Sequence, residues 1–177
     1  MTGPVRLDHL DEERLGQLLA VAVADAAPEE VMPPVTGPPG WTGARQEAFL
    51  AWHRARRPGL SGPLREATFA ITRQQDVVGS ARLAVRDGQD TLETGMWLAR
   101  SHRGHGTGTG TAALRMVLLE AARSGARVVV AHTRAHNTAA LAVLRRNGAT
   151  LTPWEGTAGV RAVWETAALL PFPPSGM

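Results

Sequence analysis

The chain has 177 residues, 44% of them apolar, a formal net charge of +3 at neutral pH and no cysteine. This length and composition predict one domain with a sizeable core, and the lack of cysteine excludes disulfides, thiolate metal sites and a cysteine nucleophile. All 19 basic residues are arginine, so the isoelectric point of about 11.1 reflects missing lysine and tyrosine rather than a basic face, and we expect no nucleic-acid partner.

The first ten residues contain Arg6, Asp8 and His9 and no long apolar block, which predicts that they are not a secretory signal. No apolar run in the sequence approaches the length that crosses a bilayer. We therefore expect a cytoplasmic protein that has no membrane partner.

The N-terminal third of the chain combines helical patterns with breaks. Residues 5–7 favour a short strand, and Asp8 or Asp11 then offers a side-chain cap for an amphipathic helix. Residues 31–40 contain four prolines and two glycines, which predicts a loop. Thr42 can cap a second helix that follows this loop.

The rest of the chain alternates strand and helix patterns. The predicted strands cover residues 67–73, 77–86, 91–99, 127–131, 150–154 and 160–165. A glycine-rich loop and a helix separate the third strand from the fourth, and a helix follows the fourth, which predicts a βαβα unit with parallel strands. We expect an α/β (α+β) fold with one domain over residues 1–170, followed by a disordered tail at 171–177.

The glycine-rich loop reads Arg-Gly-His-Gly-Thr-Gly-Thr-Gly, starting at Arg103. A P-loop requires a lysine that the chain lacks, and a dinucleotide fingerprint fails because Thr109 or Thr111 occupies its third glycine position. A flexible linker is an alternative, but this loop connects a strand to a long amphipathic helix. The pattern that remains is Arg-x-x-Gly-x-Gly, which consists of Arg103, Gly106 and Gly108. It precedes a helix, whose N-terminal backbone N–H groups would attract a phosphate.

This motif resembles the acetyl-CoA loop of the GCN5-related N-acetyltransferase (GNAT) superfamily. The preceding strand, residues 93–98, is similar to that family's central strand, and Asn137, Leu144 and Gly148 match its second cofactor motif. The resemblance covers residues 91–149 closely. It implies a GNAT fold, with a mixed central sheet of about six to seven strands flanked by about four helices.

The resemblance also implies acetyl-CoA as co-substrate and no metal. The pantetheine arm would lie beside the central strand like an added strand, and the pyrophosphate would lie on the loop. Asn137 would contact the same arm, although asparagine is also typical of a helix N-cap. The residues implied to bind the cofactor are Met96, Trp97, Leu98, Arg103, Gly104, His105, Gly106, Thr107, Gly108 and Asn137.

Acyl transfer to an amine requires a base for the amine proton, a donor for the developing oxyanion and an acid for the leaving thiolate. The resemblance places a catalytic carboxylate at Glu93 and the oxyanion donor near Leu98, while an ion-paired strand glutamate is the alternative for Glu93. Many family members use a tyrosine as the acid, but the matching position is Leu144 and the chain has no tyrosine. Water, Ser101 and His132 remain as proton sources.

The acceptor site of this family usually involves the first two helices and their loop. Acidic side chains beside an aromatic residue there predict a small-molecule amine acceptor, such as an aminoglycoside-type antibiotic of the kasugamycin kind, and the N-terminal half faintly resembles enzymes of antibiotic resistance that acetylate aminoglycosides. The candidate residues are Asp25, Glu29, Glu30 and Trp41. Solvated carboxylates at helix ends, acetylation of a protein N-terminus, and an acetyl-CoA sensor without catalysis are the alternatives. Dimers are common in the family, which suggests a homodimer.

Overall fold

The computed structural model of the chain describes residues 3–86, 88, 90–104, 106, 108–154 and 158–169. Its strands in these ranges are β1 (Val5–His9), β2 (Glu66–Arg73), β3 (Asp76–Arg86), β4 (Thr91–Leu98), β5 (Val128–Arg134), β6 (Thr150–Trp154) and β7 (Gly159–Glu165). Its α-helices are α1 (Glu12–Asp25), α2 (Pro28–Val31), α3 (Gly43–Ala55), α4 (Thr109–Arg123) and α5 (Thr138–Arg146). The tail predicted at 171–177 lies outside the described residues.

The seven strands form one mixed sheet in the order β1-β2-β3-β4-β5-β7-β6. The pairing of β4 with β5 is parallel and the other pairings are antiparallel. Helix α4 connects the two parallel strands, so the predicted βαβα unit is confirmed, as is the predicted mixed sheet of six to seven strands. No helix in the part of the chain that the structure describes is long and apolar enough to cross a membrane.

Both predicted helix caps in the N-terminal third are present. The side chain of Asp11, rather than that of Asp8, accepts a hydrogen bond from the backbone N–H of Arg14 at 2.8 Å and starts α1. The hydroxyl of Thr42 accepts from the backbone N–H of Arg45 at 3.3 Å and starts α3. Each cap satisfies a backbone donor that the first helical turn leaves without a partner.

The short helix α2, which begins at Pro28, was not predicted, because proline usually ends a helix. Proline is also well suited to a first helical turn, where its missing N–H costs nothing. The Glu30 carboxylate accepts a hydrogen bond from the backbone N–H of Ala27 at 2.8 Å. This contact closes the turn. With α2, the described residues contain five α-helices, one more than the number predicted.

The proline-rich loop after α2 is organised by one buried side chain of α3. The guanidinium of Arg45 donates hydrogen bonds to the backbone carbonyls of Gly40 at 2.7 Å and Val35 at 3.1 Å, and also to those of Gly37 and Pro38. Arg45 is only 8% exposed. The arginine therefore supplies donors that prolines cannot, and the predicted loop has a defined conformation.

The two faces of the sheet carry separate cores. On one face, Ile71, Leu83 and Val129 pack against Val117 and Leu118 of α4. On the other face, α1 and α3 cover mainly β2 and β3, and their side chains form a second core with the sheet. The members of this second core include Leu15, Leu18, Phe49, Ala70 and Val77.

Helices α1 and α3 leave part of their face of the sheet open. Trp154 of β6 and His132 of β5 lie on this face and are exposed. We call this uncovered part of β4, β5, β7 and β6 the open face. It is the side of the sheet on which the candidate catalytic glutamate lies.

Candidate active site

The sheet opens between its two parallel strands. β4 and β5 are paired over only three residues, ending at the Glu93–Val130 pair. β4 nevertheless continues to Leu98, and β5 continues to Arg134. Among the described residues, the edge of β4 that faces β5 therefore has no strand partner over 94–98, and its backbone is available to an extended ligand.

The glycine-rich loop lies at the end of this opening. Gly104, Gly106 and Gly108 have φ angles of 72°, 65° and 70°, a left-handed conformation that glycine adopts without strain. Gly108 is the N-cap of α4 and offers no side chain to its first N–H groups. His105 and Thr107, also predicted to bind the cofactor, lie outside the described residues.

The start of α4 lies close to the end of β4. A Cβ atom at Gly110 would come within 3.3 Å of Val143 on α5, 3.7 Å of Leu98 and 3.8 Å of Met96. This glycine lets the helix terminus approach the strand and α5 together. The positive end of the α4 dipole consequently lies beside the open edge of β4, as a phosphate site requires.

Arg103 links the loop to two other parts of the chain. Its Nε donates to the Leu98 carbonyl at 2.5 Å, and its Nη1 donates to the Glu30 carboxylate at 3.1 Å. The side chain remains 39% exposed. The predicted phosphate ligand is thus near the loop, but part of its hydrogen-bonding capacity is used by β4 and α2.

A second guanidinium, which the sequence did not suggest, lies beside the same helix start. Arg73 of β2 donates to the hydroxyl of Thr109, the first residue of α4, at 2.7 Å. Arg73 precedes the loop by thirty residues in the sequence, and only the packing of α4 over β1 to β4 brings it there. No local motif marks it as a phosphate ligand.

Two carboxylates predicted to bind the acceptor contact the turn that precedes the loop. Asp25 Oδ2 accepts from the backbone N–H of Ser101 at 2.8 Å and from its hydroxyl at 2.6 Å. Glu30 pairs with Arg100 at 3.0 Å as well as with Arg103. The hydrogen bonds from Ser101 lower the pKa of Asp25, and the bond from the Ala27 N–H, helped by Arg103, lowers the pKa of Glu30.

The other two predicted acceptor residues lie elsewhere around α2 and α3. Glu29 lines a small cavity of about 110 Å³ together with prolines of the loop. Trp41 donates its indole N–H to the Ala26 carbonyl at 2.9 Å and packs edge-on against Phe49. The structure does not bring the four predicted side chains around one cavity, and among the described residues none of them contacts Glu93.

Glu93 lies at the point where β4 and β5 separate. Its Oε1 accepts from Arg82 at 2.9 Å and lies 3.7 Å from Arg86, and its Oε2 lies 3.6 Å from Nδ1 of His132. The side chain is 24% exposed. The glutamate is therefore ion-paired, yet one of its oxygens faces a histidine on the open face.

The ion pairs around Glu93 continue toward the end of α3. Glu66 of β2 accepts from Arg56 at 2.5 Å and from Arg82 at 3.2 Å, and Arg86 lies 3.4 Å away. Burial alone would raise the pKa of Glu66, but these guanidinium groups lower it overall. The Arg56 guanidinium stacks 3.8 Å from the ring centre of Trp52. This network holds Arg82 in place against Glu93.

The structure also locates the residues considered for protonating a leaving group. Leu144 is buried in the core formed with α4 and α5 and offers no proton. The Ser101 hydroxyl already donates to Asp25. His132 lies on the open face beside Glu93, with Trp154 packed against its ring at a centroid distance of 4.1 Å. Of Leu144, Ser101 and His132, only His132 has a group close to Glu93 that can exchange a proton.

Asn137 is the N-cap of helix α5. Its side-chain oxygen accepts from the backbone N–H of Ala140 at 3.1 Å, so the alternative role of helix N-cap is present. The residue is exposed at the start of α5. Its cofactor contact stays a prediction, and so do those of the strand and loop residues.

The family assignment follows from a direct comparison with family models. Residues 5–150 match the model described as an acetyltransferase (GNAT) domain. This match spans most of the chain, so the protein belongs to the GNAT acetyltransferase family and is an acyltransferase. Comparison with curated proteins gives no match.

Solved structures with the same fold include several acetyltransferases. The putative acetyltransferase yncA of Salmonella typhimurium, solved with acetyl-CoA, is 19% identical with a TM-score of 0.64, covering 93% of this chain and 95% of that one. RimJ of Mycobacterium smegmatis, in complex with CoA-disulfide, is 21% identical with a TM-score of 0.68, covering 95% and 88%. RimL, a ribosomal L7/L12 alpha-N-protein acetyltransferase, is 20% identical with a TM-score of 0.68, covering 92% and 94%. At these identities the likeness establishes the fold.

Proposed function

We propose that the protein transfers the acetyl group of acetyl-CoA to a primary amine of a small molecule. The observation that carries this proposal is the opening between β4 and β5, which has the glycine loop at one end and Glu93 where the strands separate. An extended thioester would lie along the opening, with its phosphates on the loop and its acyl group toward the open face.

The residues around the opening fit such a co-substrate. The loop glycines leave room for a phosphate because a Cβ at Gly104, Gly106 or Gly108 would meet no atom of the described residues within 4 Å. Arg103 and Arg73 place two guanidinium groups near the start of α4. The acetyl-CoA and CoA in the structures of yncA and RimJ support this choice of co-substrate.

A buried side chain of β4 also suits a polar ligand in the opening. The hydroxyl of Thr94, the first β4 residue beyond the pairing with β5, is buried and has no hydrogen-bond partner among the described residues. A buried hydroxyl without a partner costs about 1–3 kcal/mol. An amide of the pantetheine arm would supply that partner.

In the proposed reaction Glu93 accepts the proton of the attacking amine, directly or through one water. Bound acetyl-CoA supplies the activated acetyl group, and a backbone N–H near Leu98 stabilises the negative charge that develops on its oxygen. His132, 3.6 Å from Glu93, would exchange the proton with solvent. Because Ser101 is engaged with Asp25, we assign protonation of the leaving thiolate to water or to His132.

The charge distribution bears on the choice between acceptors. An aminoglycoside is a polycation and would require carboxylates that are free of internal partners. Asp25 and Glu30 are engaged by Ser101, Arg100 and Arg103. These contacts weaken the case for an aminoglycoside within the small-molecule proposal.

Acetylation of a protein N-terminus is the second candidate function. The observation that favours it is the open face itself, where Gly95 is exposed and a Cβ there would meet no atom within 4 Å. A peptide needs an open approach of this kind, whereas a small polar molecule does not. The name of RimL, a protein N-terminal acetyltransferase of the same fold, agrees with this candidate.

A thiol-release assay with acetyl-CoA tests the proposal and separates the candidates. The acceptor panel consists of small amines, amino acids, dipeptides, aminoglycosides and long peptides with free N-termini. Release with one or more small molecules supports the proposal, and release with long peptides alone transfers the assignment to the second candidate. Tight binding of acetyl-CoA without release by any acceptor would contradict both.

A further inference from the structure

The inference concerns the chemical class of the acceptor and rests on the proposed function. Four side chains lie side by side on the open face, one from each of its adjacent strands. Glu93 of β4 lies 3.6 Å from His132 of β5, and the backbone of His132 is paired with that of Arg161 on β7. Trp154 of β6 packs against His132 and lies under the Arg161 guanidinium, 5.8 Å from its centre. The aromatic contact restrains the arginine beside the histidine.

Arg161 has hydrogen-bonding capacity that the chain leaves unused. Its Nε is buried and without a partner, and within the described residues no carboxylate pairs with its guanidinium. Trp97 is four residues after Glu93 on β4, so it lies on the same face of the sheet, and its buried indole N–H also has no partner among the described residues. Both groups can only donate hydrogen bonds, so the ligand that satisfies them must bring oxygen acceptors.

The charges around Glu93 point in the same direction. On the open face and in the adjoining ion-pair network of Glu66, five guanidinium groups lie against three carboxylates: Arg56, Arg82, Arg86, Arg134 and Arg161 against Glu66, Glu93 and Glu165. The excess is thus two positive charges before His132 is counted. A polycationic amine would be repelled, whereas an anionic group would be attracted.

We propose that the acceptor is an amine that also carries a carboxylate, and that Arg161 binds this carboxylate while Glu93 faces the amine. β4 and β7 both neighbour β5, adjacent strands are about 4.8 Å apart, and Arg161 is offset from Glu93 by two residues along the strands, so the two side chains originate about 12 Å apart. Their lengths reduce this separation to about that of a short amino acid or dipeptide. The acceptor class is therefore amino-acid-like, with its amine and carboxylate several bonds apart.

The transfer itself remains that of the proposed function. The nitrogen forms a bond to the acetyl carbon, the carbon–sulfur bond of the thioester breaks, and the amine gives up a proton to Glu93. The sulfur leaves as a thiolate and takes a proton from water or His132. Arg161 takes no part in these steps and acts as a specificity-determining residue.

The test compares acceptors that differ only in the anionic group. Glycylglycine is paired with glycylglycinamide, and 4-aminobutanoate with 4-aminobutanamide, while spermidine and kanamycin represent polycations. Each pair is measured by thiol release and by equilibrium binding to protein saturated with CoA. We expect at least tenfold higher kcat/KM and tighter binding for the carboxylate member of at least one pair.

Variants assign the preference to Arg161. Arg161→Gln should reduce the preference for the carboxylate to less than threefold, and Arg161→Lys, which keeps the charge, should retain part of it. Arg127→Gln is the matched control, because the Arg127 side chain is 82% exposed and lies away from the open face. Acetyl-CoA affinity and the far-ultraviolet circular dichroism spectrum should be the same for all three variants, which shows that they are folded.

The outcomes separate this inference from the proposed function. Equal use of acids and amides, preference for a polycation, or an unchanged preference in Arg161→Gln would overturn the inference while acetyl transfer stands. Absence of turnover with every acceptor would instead contradict the proposed function. In that case the binding comparison between carboxylate and amide still decides whether Arg161 recognises the anion.

Discussion

The carboxylate of Glu30 lies 3.1 Å from the guanidinium of Arg103, so an acidic residue of α2 is paired with the arginine of the glycine loop. The sequence had suggested that the first binds the acceptor and the second the cofactor. Their contact means that a phosphate on the loop and the Glu30 carboxylate compete for one guanidinium. It follows that Arg103 increases the affinity for the cofactor, whereas Glu30 decreases it.

Arg103→Gln is expected to weaken acetyl-CoA binding about tenfold, because a charge-assisted hydrogen bond contributes about 1.5 kcal/mol or more. Glu30→Gln is expected to strengthen it, since a neutral amide competes less well for Arg103. Isothermal titration calorimetry with CoA measures both. Arg123→Gln, an exposed change at the other end of α4, is the control, and an affinity for Arg103→Gln equal to that control would remove Arg103 from the cofactor site.

Glu93→Gln is expected to lower kcat at least about a hundredfold and to flatten its pH profile, because the amide cannot take the amine proton. Acetyl-CoA affinity should not change. The matched control is Glu165→Gln, an exposed glutamate on β7 of the same sheet. Steady-state kinetics across pH 6 to 9 give the comparison, and wild-type values for Glu93→Gln would mean that the glutamate is only an ion-pair partner of Arg82.

His53 is expected to make the folded protein less stable in mild acid. It is 2% exposed, and burial together with nearby Arg56 lowers its pKa to about 4. Between pH 6.5 and 4 the unfolded chain therefore binds a proton that the folded chain does not. The free energy of unfolding falls as pH decreases, by up to about 1.4 kcal/mol per pH unit and about 3 kcal/mol in all.

Urea unfolding at pH 7, 6 and 5 checks this expectation. The pKa of Glu12 is lowered to about 2 by hydrogen bonds from Arg54 and Arg57, and those of Asp25, Glu30 and Glu66 are also lowered. These carboxylates destabilise the fold at more acidic pH, so the histidine dominates the pH dependence in this range. His53→Asn should reduce the slope, whereas the exposed His136→Asn should not. An identical slope in His53→Asn would show that His53 titrates equally in both states.

Arg45→Leu is expected to disorganise the proline-rich loop, because its carbonyls lose their buried donors. We expect a loss of at least about 2 kcal/mol in the free energy of unfolding, since hydrogen bonds to a charged group contribute about 1.5–3 kcal/mol. Cleavage within 33–40 by a nonspecific protease should also become faster. Glu47→Ala, an exposed change on the same helix, is the control, and equal cleavage of the two variants would contradict this role.

Much of the fold could be predicted because its signals are local. The cap at Thr42, the glycine-rich loop with Gly106 and Gly108, and the valine-rich strand β5 each depend on a few neighbouring residues. Such patterns restrict backbone conformation before any distant contact forms. The order of strand, loop, helix and strand then allows few topologies, which is why the parallel pair β4–β5 followed from the sequence.

The partners of the charged side chains were decided only by the tertiary structure. Glu30 and Arg103 are 73 positions apart, and Arg73 and Thr109 are 36 apart, so no periodic pattern relates them. Whether a carboxylate faces a ligand or another side chain depends on how helices and strands pack together. Local helix and strand propensities carry no information about that packing. The sequence by itself therefore determined the family's loop and sheet. The fold decided that Asp25 of α1 and Glu30 of α2 bind the loop and the turn before it. It also decided that Arg161, next to His132 and across β5 from Glu93, has no carboxylate partner among the described residues.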